Sequence, residues 1–76
     1  MNVENIIKLF NENGEVHFKL FSLNYTIKKS NQNVIIYADL YDKRKSYYKD
    51  INELLNNFTI FNETIKDNEK SIKNIN

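Results

Sequence analysis

The sequence predicts an α+β domain: an N-terminal helix, a three- to four-stranded antiparallel β-meander, and then two C-terminal helices packed on one face of the sheet. Two changes of period predict it. Apolar residues recur at helical spacing up to Phe10 and again after Asp50, whereas between Val16 and Tyr41 they alternate strictly or run together. Length is the third observation. A chain of 76 residues holds one modest core, so residues 1–76 read as a single domain.

The first helix opens at Asn2, whose side chain suits an N-cap, with Glu4 in the first turn where the helix dipole favours an acid. Val3, Ile6, Ile7 and Phe10 form its apolar stripe, and Asn13-Gly14 ends it with the only glycine in the chain. Val16, Phe18 and Leu20 then alternate with His17 and Lys19, and Leu23, Tyr25 and Ile27 with Asn24, Thr26 and Lys28. This predicts strands near 15–21 and 24–29 joined by a tight turn at Ser22-Leu23-Asn24, although one long bent strand fits the same alternation. Polar residues 29–33 make the next loop, and Val34 to Tyr41, with almost no polar interruption at its start, reads as the best-covered strand.

Asp42-Lys43-Arg44-Lys45 is a charged turn, and residues 46–49 make a short fourth strand. Asp50 and Glu53 have capping-box spacing ahead of a helix whose stripe is Ile51, Leu54, Leu55 and Phe58. Thr59-Ile60-Phe61 is a brief extended connection. Phe61, Ile65, Ile72 and Ile75 then predict a last helix, with residues 66–76 as a frayed helical tail that protrudes or packs on a partner.

Several function classes are excluded or disfavoured. The chain has no cysteine, which removes disulfides, thiolate metal sites and a cysteine nucleophile. Apolar runs of about four residues fall far short of the ~18 of a membrane span, and no basic-then-apolar leader opens the chain. A cytoplasmic protein without membrane association is expected. Abundant Asn, Ile and Lys with one Gly and no Pro look like AT-rich coding, pointing to a bacterial or mobile-element origin. Asn-x-Thr triplets at Asn24, Asn57 and Asn62 are glycosylation acceptors only on a secretory route and read here as chance.

No catalytic constellation is visible. His17 shares its strand face with Glu15 and Lys19, and Ser22, Ser30, Ser46 and Ser71 lack a nucleophile-elbow context. Asp39 and Asp42 alone do not supply enough oxygens for a hard cation. An enzyme, a cofactor and a metal are therefore not expected.

Two surfaces remain. With the alternation extended through residue 41, Phe21, Tyr37 and Tyr41 lie opposite Leu20, Ile36 and Leu40 on the sheet's second face. That face is either covered by the C-terminal helix or used by a protein partner or a second copy of the chain. The other surface is the basic, tyrosine-rich loop of Tyr41, Lys43, Arg44, Lys45, Tyr47, Tyr48 and Lys49, where cations meet phosphates and aromatic rings meet unpaired bases. The expected function is a small non-enzymatic protein-interaction or accessory module using the open sheet face; the alternative is single-stranded RNA or DNA binding through loop 41–49.

Overall fold

The computed structural model describes residues 2–76. Helix α1 (Asn2–Asn13) buries Val3, Ile6 and Phe10, one side of a helix whose remaining positions are mostly polar. Gly14 follows at φ +75°, the left-handed conformation that closes a helix, and its amide donates to the Phe10 carbonyl. Strands β1 (Glu15–Leu20), β2 (Leu23–Ser30) and β3 (Asn33–Ala38) follow as two hairpins, each with a two-residue loop. β4 (Ser46–Tyr48) pairs with β3, and α2 (Ile51–Asn57) begins where Asp50 Oδ1 accepts from the Glu53 amide at 2.8 Å. The reciprocal bond of that capping box runs one residue further back, from the Lys49 amide to Glu53 Oε1.

After α2 the prediction fails. Among the described residues there are two α-helices, and none lies C-terminal to α2. A small hairpin of β5 (Thr59–Ile60) and β6 (Glu63–Thr64) comes next, then turns with a short 3₁₀ segment at Glu69–Ser71, then β7 (Ile72–Lys73). The main sheet thus has five strands in the order β4-β3-β2-β1-β7, all antiparallel, beyond the three or four expected.

Local chemistry explains the failure. Thr64 and Asp67 exchange side-chain to backbone bonds at 3.1 Å, a capping arrangement that starts one turn. The stripe of Ile65 then finds Asn68 and Glu69 at the positions where a continuing helix needs apolar groups. Phe61, Asn62 and Asn74 adopt positive φ, which helices do not tolerate. Ile72 is claimed instead by β1, where it pairs opposite Leu20.

The residues after α2 fold back on the core and on β1. Ile65 and Ile72 are buried in the main core, and His17 and Asn76 exchange backbone hydrogen bonds at 2.8 and 2.9 Å. The Asn2 side chain does not cap α1. It donates to the carbonyls of Glu69 and Ile72, while Glu69 Oε2 accepts from the Val3 amide.

Strand parity sorts the sheet into two faces. Val16, Phe18, Leu20, Tyr25, Ile27 and Ile36 point inward, where α1 packs on β1 and α2 on β3 and β4. Each large apolar side chain so buried contributes roughly 1.5–3 kcal/mol. The outer face carries Glu15, His17, Lys19, Thr26, Lys28, Ile35, Tyr37 and Tyr47, and among the described residues no helix lies across it.

Candidate functional site

The strand expected to run to Tyr41 stops at Ala38, and Asp39–Tyr41 turn as a 3₁₀ segment. This rotation breaks the expected alternation. Leu40, expected on the inner face beside Leu20 and Ile36, is 71% exposed, and Tyr41 leaves the plane of the sheet. Phe21, expected on the outer face, occupies the first loop position of the β1–β2 hairpin. Of the three predicted protein-contact residues, only Tyr37 stands on the outer face itself.

Phe21 and Tyr41 nevertheless share one end of the sheet, and Phe61, which the sequence pattern assigns to a helix stripe, joins them. A groove of about 390 Å³ opens there, with Leu23, Tyr25 and Phe58 in its floor and Tyr41, Arg44 and Phe61 at its rim. The floor continues a stacked aromatic row from the core: Phe18 to Tyr25 at 5.5 Å between ring centres, and Tyr25 to Phe58 edge-on at 6.4 Å. Phe21 does not line the groove itself; its ring meets that of Phe61, at the rim, at 5.8 Å.

Their backbones are unusual. Five residues other than glycine have positive φ among those described: Asn31, Asn62 and Asn74, which tolerate it, and Phe21 and Phe61, which do not. Left-handed backbone costs a bulky residue about 1–2 kcal/mol. Both phenylalanines sit in two-residue hairpin loops, where glycine or asparagine gives the required φ without that cost. Phe61 is moreover 82% exposed, so its ring recovers little of the penalty through burial.

The predicted nucleic-acid loop is divided by the fold. Tyr41 and Arg44 turn to the groove; Lys45 and Tyr47 turn to the outer face; Tyr48 turns inward and packs against the core. Burial and the nearby charge of Glu53 raise the Tyr48 hydroxyl above its ordinary pKa, and burial alone does the same for Tyr25. Lys43 and Lys49 are solvent-exposed.

On the outer face a hydrogen-bonded chain runs across β1 and β2 to the 3₁₀ turn after β3. Thr26 Oγ1 donates to Asp39 Oδ1 at 2.6 Å and lies 2.9 Å from His17 Nδ1, while His17 Nε2 lies 2.7 Å from Glu15 Oε2. A threonine has one hydroxyl hydrogen and here spends it on Asp39; a carboxylate only accepts, so Nε2 donates to Glu15. Thr26 is buried, which makes it a tie between strands and keeps its hydroxyl from an incoming substrate.

Among the described residues no three His, Asp or Glu side chains converge on a metal position, and no helix is long and apolar enough to cross a membrane. Comparison with known proteins finds no matching family model, no matching curated protein and no matching solved structure.

Proposed function

We propose that the chain is a small non-enzymatic interaction module whose end groove takes an extended protein segment carrying an apolar side chain next to a carboxylate. The observation that carries this reading is the paired placement of Phe21 and Phe61 at left-handed loop positions with their rings together and Phe61 exposed. A backbone cost that folding does not recover is a mark of a binding site. The floor of Leu23, Tyr25 and Phe58 accepts the apolar side chain. Among the described residues Arg44 is the only charged one lining the groove, and its side chain has no hydrogen-bond or ion-pair partner among them, which leaves its fork for an incoming carboxylate.

A displayed library of short random peptides tests this. Selection on the immobilised chain is expected to enrich apolar residues followed by Asp or Glu, and the selected peptides are expected to lose binding to Phe61→Asn and to Arg44→Glu. Peptides that bind both variants as well as the parent chain would refute the groove. A concentration-dependent dimer abolished by Phe61→Asn would give the groove to a second copy of the chain and refute the peptide reading.

A further inference from the structure

We infer that the outer face of the sheet, which meets the end groove at Tyr37, binds single-stranded nucleic acid, with Tyr37 and Tyr47 as platforms for bases and Lys19, Lys28, Lys45 and Lys73 as phosphate contacts. The aromatic part comes from register. Tyr47 pairs opposite Ile35, so Tyr37, two residues further along β3, is its diagonal neighbour on the same face, about 7–8 Å away. Adjacent unstacked bases can straddle that separation. Tyr47 is 60% exposed although it sits beside Ile35, which is only 2% exposed on a face no described helix covers; the flat ring lies on a firm apolar base.

Charge complementarity selects a polyanion. Lys28 Nζ and Lys45 Nζ lie over the Tyr37 ring, 5.7 and 5.2 Å from its centre, so a base that stacks there displaces an ammonium toward the phosphate. Lys19 and Lys73 stand directly opposite each other on β1 and β7, an arrangement of like charges that weakens a sheet and that a bound phosphate relieves. The acids of this face, Glu15 and Asp39, are held by His17 and Thr26, and among the described residues none of the four lysines forms a salt bridge. Tyrosine rings among lysines free of salt bridges are the combination that holds single strands with little sequence preference. A duplex offers no base faces to Tyr47. An anionic membrane would favour apolar wedges, but the exposed apolar residues Phe21, Leu40 and Phe61 stand in hairpin loops and the turn after β3, not on the strands of this face.

Fluorescence anisotropy of the full chain with labelled DNA and RNA strands of about 12 nucleotides, set beside a duplex of equal length, tests the assignment. Single strands are expected to bind more tightly than the duplex, with log K falling against log salt at a slope of about −3 for four phosphate contacts. Tyr47→Leu keeps Ile35 covered but removes the ring, and is expected to weaken binding roughly tenfold, while Tyr47→Phe retains it. Lys19→Gln with Lys73→Gln is expected to flatten the slope by about 1.4, and Phe61→Asn, in the groove, to leave it unchanged. No binding at low salt, equal binding of the duplex, or indifference to Tyr47→Leu would overturn the inference. So would tighter binding to polyglutamate or to anionic lipid vesicles, either of which reassigns the face to that class of partner.

Discussion

Glu69 Oε2 accepts a hydrogen bond from the Val3 amide at 3.0 Å, so a side chain near the end of the chain caps the helix at its beginning. The first amides of a helix have no partner within it, and a carboxylate there also meets the positive end of the helix dipole. Removing it with Glu69→Ala is expected to cost about 0.5–2 kcal/mol, while Glu69→Gln, whose amide oxygen still accepts, is expected to recover part of the loss. Urea denaturation of the three proteins measures both. An unchanged midpoint for Glu69→Ala would show that α1 finds its cap elsewhere.

Ile65 is fully buried although it lies in a stretch without regular structure. Ile65→Ala is therefore expected to destabilise the protein by about 2–5 kcal/mol, as for any core isoleucine. In a domain this small such a loss can exceed the whole stability, so thermal unfolding followed by circular dichroism is the first reading to take. A loss of only a few tenths of a kcal/mol would mean that the tail is not part of the core.

Thr26 joins His17 to Asp39, and its loss leaves both with a missing partner. Thr26→Val keeps the shape and removes the hydroxyl, with an expected cost of about 1–3 kcal/mol; Thr26→Ser, which keeps the hydroxyl, is expected to recover most of it. Equal stability of the valine and parent proteins would show that water replaces the hydroxyl without cost.

The raised hydroxyl pKa values of Tyr25 and Tyr48 give the stability a dependence on alkaline pH. In the unfolded chain these groups ionise near the ordinary value of 10.0, while in the folded protein they hold their protons to higher pH. Their contribution is thus complete below about pH 10 and is lost as pH rises through the folded values, because only the unfolded state gains from ionising in that window. Denaturation midpoints are expected to fall above about pH 10, and Tyr25→Phe combined with Tyr48→Phe is expected to make that fall shallower. A double variant that follows the parent curve would assign the alkaline limb to other groups.

Elements whose residues answer to a single partner are legible in the sequence. The stripe of α1, the stop at Gly14, the alternation of β1 and β2 and the Asp50 cap each follow from local spacing, because one face of each element must be buried and the geometry of the helix or strand says which residues share it. The last fifteen residues are not legible in this way. Ile65, Ile72 and Ile75 fit a helical period, but Ile72 is bound to Leu20 by a strand pairing between residues 52 apart in sequence, and no local pattern encodes that choice. The candidate sites divide in the same way. Aromatic and basic residues around Tyr41 mark a surface by composition alone, whereas the division of loop 41–49 among groove, outer face and core depends on the turn at Asp39–Tyr41 and on strand parity after it. Residue type and periodicity determined which groups need burial or water. Only the tertiary structure decided which of them meet, since the long-range pairings that bring Phe61 to Phe21 and β7 to β1 form through contacts distant in the chain.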